Sequence, residues 1–365
     1  MRKNFTFKND VLLKSERLII IAVCVFLSSA LIAYPNDAIR SVSSAIKLCA
    51  DTVIPSLFPF LFLSSFITSS GVLNAKNNPV SRLSEKLFSV PYEAVIVFIM
   101  SAVGGFPVGA RMASSLLEKN SISEDTAKRL IFSCVNPSVS FALSAVGLSL
   151  FSSTETGVII YSSVVISNLI LFVLSRFIIG KDKFSVAKEQ DEKMNISSAF
   201  VSAGKSASEA MISICCYVLL FSCLCEIMKN FVPDETILGA LCGVCEVTVG
   251  CRRLSFLNNV PLIAGVIGWG GLSVHFQIMY AIRKSRLGMK LFFLSRAVSA
   301  FLSVLICSGL LYIFHSAATP VIKMSDGISV STSEKSIIVS VMMLLTCFVF
   351  LISDYSSGKR KVESL

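Results

Sequence analysis

The chain has 365 residues, 54% of them hydrophobic and 15% charged, where a soluble domain carries roughly a quarter charged. That balance excludes an ordinary soluble globular protein and makes lipid the solvent for most of the chain. The net charge of +10 lies in loops between apolar runs with no aromatic-interleaved patch, which argues against nucleic acid as a partner and leaves membrane topology as its explanation.

In chain order, eight stretches reach the roughly 20 apolar residues that a spanning helix needs: 18–34, 92–114, 130–151, 157–179, 236–256, 258–282, 289–316 and 336–353. The first is followed by Tyr34, Pro35 and Asn36 rather than a small-residue cleavage site, so it reads as a retained helix. Basic clusters fall at Arg2, Lys3, Lys8, Lys14 and Arg17, at Lys181, Lys183, Lys188 and Lys193, at Arg283, Lys284, Arg286 and Lys290, and at Lys359, Arg360 and Lys361. The positive-inside rule assigns all of them, and both termini, to the cytoplasm of a multi-pass cell-membrane protein. The 12 cysteines sit almost wholly in apolar segments without zinc spacing and read as reduced packing residues.

Self-comparison returns three paired blocks in the same order. SAIKLCAD at 44–51 matches SAGKSASE at 202–209 and extends without gaps through Leu61/Leu219 and Ser64/Ser222. FPVGAR at 106–111 matches VTVGCR at 247–252, and NPSVSF at 136–141 matches GLSVHF at 271–276. The chain therefore contains two related halves. Pro55 and Pro59 break up the first block, so the blocks near 41–70 and 200–229 are expected to be re-entrant hairpins. An odd number of spans then separates equivalent points and inverts the second half. This arrangement puts the named basic clusters in the cytoplasm but leaves Lys76, Arg82 and Lys86 outside.

The expected fold is thus an all-α polytopic membrane protein with about eight transmembrane helices and two re-entrant hairpins in two inverted repeats. The parts are 1–40, a cytoplasmic segment and first span; 41–180, the first repeat; 181–199, a charged linker; 200–316, the second repeat; and 317–365, a last span and basic tail. Inverted repeats with interrupted helices characterise many secondary transporters, whose solute sites lie where the breaks meet.

Candidate site residues follow from that architecture. GGFPVGAR places Gly104, Gly105, Pro107, Gly109 and Arg111 in an apolar span, where Pro107 cannot donate a helical hydrogen bond. An unwound turn facing a solute is the functional reading, against a kinked, closely packed helix. Glu246, matching Gly105, is the only acid inside its stretch; its roles are proton carrier, cation ligand or solute contact, against a structural ion pair. Thr248 lies in the same segment. Asn136, Ser138 and Ser140 pair with Gly271, Ser273 and His275, followed by Gln277, so both halves carry hydrogen-bonding groups in uncharged spans. Arg111 and Arg252 occupy matched positions and either bind an anion through their planar forks or snorkel to headgroups. His315 and Arg296 have no repeat support and read as structural or interfacial. No GxxxxGKS/T phosphate loop, zinc motif or nucleophile elbow occurs, which argues against a pump or an enzyme. The only cofactor-like requirement is a coupling proton or sodium ion.

VIPSLFPFLFLSSFI at 53–67, GGFPVGAR, CVNPSVSF, CEVTVG at 245–250 and GGLSVHFQ at 270–277 resemble the YlbJ family of sporulation integral membrane proteins over about 40–316. The resemblance implies a nucleoside-recognition, or Gate, domain with hairpins and broken helices similar to those of concentrative nucleoside transporters. It also implies transport of dipicolinic acid across the outer forespore membrane into the developing spore. A planar pyridine dicarboxylate would suit Arg111 or Arg252 with Asn136, Ser138, Ser273 and His275. A nucleoside-type carrier and a non-transporting scaffold of the spore envelope are the other readings.

Overall fold

The computed structural model describes residues 21–314 apart from 22, 23, 26, 75–83, 85–87, 181–194 and 284–288. The basic clusters at 2–17, 181–193 and 359–361, with Lys76, Arg82, Lys86, Lys284, Arg286, His315 and the stretch at 336–353, lie outside the described residues. Among the described residues every regular element is helical. The first stretch is seen in part, with residues 27–33 helical.

Five elements are long and apolar enough to cross a membrane: Pro35–Ser69, Thr154–Ile178, Ile196–Met228, Val260–Ala281 and Lys290–Phe314. Their polarity is inside out, as lipid requires. On Thr154–Ile178, Ile166, Leu169, Ile170 and Leu174 are exposed while Ser167, Asn168 and Ser175 are buried. On Lys290–Phe314, Leu294, Phe301 and Leu305 are exposed while Ser295, Arg296 and Ser299 are buried. The chain is a multi-pass membrane protein.

Helix α1 (Pro35–Ser69) is continuous, which corrects the expected hairpin at 41–70. Its prolines are absorbed by a π turn at Cys49–Val53, in which the Ile54 N–H donates to Cys49 O. The widened turn removes the need for a donor at Pro55, which opens the next α-helical stretch; Pro59 follows inside it. The hairpin expected at 200–229 is likewise one helix, because that segment has no proline to interrupt its hydrogen bonds. It is α7 (Ile196–Met228), antiparallel to α1: Ser65 Oγ donates to Ser206 Oγ at 3.4 Å and Asn230 Nδ2 to Asp37 Oδ2 at 3.0 Å. At about 1.5 Å per residue each exceeds the roughly 30 Å hydrocarbon thickness, so both run from one end of the bundle to the other.

Two helical hairpins enter this bundle from opposite ends. The first is α2 (Tyr92–Gly104) with α3 (Phe106–Glu118). A Cβ on Gly109 would lie 2.9 Å from Ser101 Cβ, so the arms fold back on one another. The open side is at the Ser69 end, where Lys119 Nζ donates to Thr68 O at 2.6 Å. The tip, Gly105, reaches Leu57 in the middle of α1. The second hairpin is α8 (Glu235–Cys245) with α9 (Val247–Leu254). It opens at the Pro35 end, where Arg253 bonds Glu226 of α7 at 2.9 Å and Glu235 at 3.3 Å.

Between them, α4 (Glu124–Ser133) runs inward from the Ser69 end. The chain unwinds over 134–138, and α5 (Phe141–Phe151, mostly π-type) continues to the Pro35 end. Helix α6 (Thr154–Ile178) returns, and Arg129 Nε donates to its Ser175 Oγ at 2.9 Å at the Ser69 end. In the second half α10 (Val260–Trp269) and α11 (Gly271–Ala281) make one interrupted pass, and α12 (Lys290–Phe314) runs back antiparallel to α10. Side-chain N-caps sit at the bundle ends: Ser123 and Asn195 at one, Ser153, Asp234 and Asn259 at the other. Polar capping residues mark helix starts that meet water.

A straight, antiparallel α1–α7 pair is directly testable. With Ser65→Cys and Ser206→Cys together, mild oxidation is expected to give an intramolecular crosslink detectable by peptide mapping, whereas Ser44→Cys with Ser206→Cys is expected to give none.

Candidate functional site: the crossing of four helix breaks

Each break has a local cause. Gly105 has φ +99°, a conformation that side-chain-bearing residues rarely adopt, and Pro107 opens α3 without needing a donor. The unwound 134–138 segment contains Pro137. Glu246 is extended, at φ −144° and ψ 121°, and its Oε2 accepts from Val249 N at 2.7 Å, capping α9. Gly270 and Gly271 have φ +85° and +76° and divide α10 from α11.

Packing brings the four breaks together at mid-depth. A Cβ on Gly105 would lie 3.2 Å from Ser138 Cβ, so the first hairpin tip rests on the 134–138 break. A Cβ on Gly271 would lie 2.9 Å from Val247 N and 3.1 Å from Glu246 Cα, so the second tip rests on the Gly270–Gly271 break. The Phe106 ring reaches Gly270, at 3.9 Å from such a Cβ, and links the two pairs. The N-termini of α3, α5, α9 and α11 therefore converge with the C-termini of their partners, giving the crossing both N–H and carbonyl ends.

The 134–138 break is held by a buried network. Arg296 Nη1 donates to Val135 O at 3.0 Å, and Arg296 Nη2 donates to Phe132 O at 3.0 Å and to Asn168 Oδ1 at 3.1 Å. Asn168 Nδ2 donates to Val135 O and to Asn136 Oδ1, both at 2.9 Å. Asn136 Nδ2 donates to Ser101 Oγ at 3.2 Å, which ties the break to the first hairpin. Arg296, Asn168, Asn136 and Ser101 are all fully buried. The guanidinium supplies the donors that the unwound carbonyls would otherwise lack.

The structure gathers Gly104, Gly105, Pro107, Asn136, Ser138, Glu246 and Ser273 at the crossing, with half-buried Thr248 in the first turn of α9. Gly109 packs beside Cys134 just behind the first tip. Arg111, Arg252, Ser140 and Gln277 are placed apart, whereas His275 stays beside the Gly270–Gly271 break. Arg111 points to α7, where its Nη2 donates to Ser206 O at 2.8 Å and to Ser206 Oγ at 2.7 Å. Arg252 is exposed at the Pro35 end and Ser140 is exposed, because each lies past its break on a turn that faces outward. Buried His275 is enclosed by Trp269, Phe292 and Phe293, with Nδ1 2.7 Å from Gly271 O. Gln277 is buried farther along α11. Reading by repeat alone passed over Arg296, Asn168 and Ser101. A signal existed for Arg296, the one charge deep within an otherwise apolar stretch.

The described cavities lie elsewhere. One of about 400 Å³ is lined by Lys128, Phe132, Met289 and Phe292, and one of about 540 Å³ by Asn36, Arg40 and Ser43. With Asn136, Ser138, Glu246 and Ser273 at most 2% exposed, the crossing is closed in this conformation.

Replacing Arg296 by Met takes the guanidinium donor from the buried Phe132 carbonyl and is expected to lower folding stability by about 1–3 kcal/mol, the cost of a buried polar group left unpaired. Arg252→Met is expected to change it by less than about 0.5 kcal/mol. Thermal unfolding in detergent compares the two.

The chain is 21% identical over 325 residues, covering 78% of this chain and 80% of that protein, to the sporulation integral membrane protein YlbJ of Bacillus subtilis (strain 168). No family model matches the chain, and no solved structure matches it. The resemblance carried by its motifs is thus borne out: the chain is a distant relative of the YlbJ sporulation integral membrane proteins.

Proposed function

We propose that the chain is a secondary transporter of a small anionic solute, with dipicolinic acid, taken into the developing spore, as the solute that the family resemblance implies. The observation that carries the reading is the convergence of four helix breaks inside the bundle. Irregular backbone at that depth is tolerated where it is packed in protein or lines a solute path. Helix N-termini there favour negative charge, the buried guanidinium of Arg296 adds to the field, and helix C-termini offer carbonyls to a coupling cation. The chain acts as a carrier rather than an enzyme and needs no cofactor beyond a coupling proton or sodium ion.

Inverted repeats support alternating access. Matched Gly105 and Glu246 are the two hairpin tips, and matched Ser138 and Ser273 flank the two interrupted passes. Each half then holds one long helix, one re-entrant hairpin, one broken pass and one return helix. Three passes per half invert the second, in keeping with antiparallel α1 and α7. Adding the stretches at 18–34 and 336–353 gives eight spans and puts both termini at the Ser69 end.

Charge sets the orientation. Lys119, Lys128 and Arg283 lie toward the Ser69 end, and the segments joining helix ends there carry Lys76, Arg82, Lys86, Lys181, Lys183, Lys284 and Arg286 in sequence. The Pro35 end carries Asp37, Glu226, Asp234 and Glu235 beside Arg40, Lys229, Arg252 and Arg253. The Ser69 end is therefore cytoplasmic, and with α1 continuous, Lys76, Arg82 and Lys86 no longer violate the rule. In a sporulating cell the membrane is the outer forespore membrane.

One observation favours a second reading, a carrier of a neutral nucleoside-type solute: the Arg111 fork is taken up by Ser206, and Arg252 is exposed. Proteoliposomes holding the purified chain are expected to take up labelled dipicolinate saturably, with at least a roughly tenfold loss in Glu246→Gln and Asn136→Ala, about one charge-assisted hydrogen bond's worth. Inhibition by uridine but not by unlabelled dipicolinate would select the second reading; uptake unchanged in both variants would remove these residues from the path.

A further inference from the structure

The repeat matches Ser64 with Ser222 and Ser138 with Ser273, yet the two pairs differ in their bonding. In the first half Ser64 Oγ donates to Leu61 O at 3.0 Å, and Ser138 Oγ accepts from Phe141 N at 3.2 Å. In the second half Ser222 and Ser273 are 6% and 0% exposed, and neither Oγ has a hydrogen-bond partner. A helical serine ordinarily bonds back to its own preceding turn, as Ser163, Ser208 and Ser213 do here. The first half has also closed its break with Asn136, whereas Gly271 occupies the matched position in the second half and brings no side chain.

Register places the two hydroxyls at one level. Phe276 of α11 stacks on Tyr217 and Phe221 of α7, with ring centroids 6.0 and 5.7 Å apart. Ser273 is three residues before Phe276 on the same face of α11, and Ser222 follows Phe221. Because α7 and α11 run in opposite directions, both serines fall deeper than Phe276, toward the second hairpin tip, where Gly271 meets Glu246.

We infer that Ser222 and Ser273 form a subsite that donates two hydroxyl hydrogen bonds to a carboxylate of the transported anion, so that the second half holds the solute and the first half is its fixed frame. This rests on the transport reading above and assigns its solute contact to the α7–α11 seam. Ser222 is then a specificity-determining residue on the long unbroken helix α7 rather than at one of the helix breaks. Buried hydroxyls without partners weaken the unliganded protein, and the ligand removes that cost.

The test is thermal unfolding of the full purified chain, with and without dipicolinate, titrated to give a dissociation constant. The Ser222→Ala/Ser273→Ala double variant is expected to unfold without ligand at the wild-type temperature or above it. It is also expected to bind dipicolinate roughly ten- to hundredfold more weakly, the equivalent of lost charge-assisted hydrogen bonds. Ser64→Ala is expected to lower the unfolding temperature and keep the wild-type dissociation constant. Three results would overturn the inference: a double variant destabilised as much as Ser64→Ala, which would mean the hydroxyls bond within the protein or to an internal water; an unchanged dissociation constant; or no dipicolinate-dependent shift in the wild type. Serine-dependent binding with no uptake into proteoliposomes would uphold the subsite and refute transport.

Discussion

A backbone carbonyl or amide that leaves a helix within a bilayer has no water to turn to, and this constraint governs the centre of the molecule. Four breaks persist there because they are stacked on one another and on polar side chains. Gly105 sits on Ser138, Gly271 sits on Glu246 and Val247, and Arg296 reaches across the bundle to the carbonyls of Phe132 and Val135. None of these segments would be tolerable alone in lipid. Together they form a compact polar crossing inside walls of apolar helix.

The two halves meet the constraint differently. The first closes its unwound segment with side chains, from Ser101 through Asn136 and Asn168 to Arg296. The second uses glycine at the equivalent break and spends its acid on the α9 N-terminus. Arg296 belongs to the second half yet stabilises the first, so the two halves are tied to each other at the level of the crossing.

The long paired helices α1 and α7 frame this crossing. The π turn in α1 lets Pro55 and Pro59 stay in a continuous helix. Sequence alone made those prolines the sign of a hairpin. The hairpins instead lie one element later in each half, at Gly105 and Glu246, where the chain reverses within a stretch long enough to have been counted as one span.

Much of the fold was legible in the residues. Apolar run length marked the crossings near 157–179, 258–282 and 289–316, and Pro107 and Pro137 marked irregular backbone at the first hairpin tip and the 134–138 break, because these depend on local composition, whereas the runs at 92–114 and 236–256 fold as hairpins. What only the tertiary structure decided is which breaks touch, which arginine is buried and which serines go without partners. Arg111 and Arg252 look equivalent in sequence, but one bonds α7 and the other is exposed. Arg296 has no sequence counterpart and sits at the centre. These outcomes depend on the register of helices from about 25 to more than 160 residues apart, set by side-chain packing that no local pattern encodes.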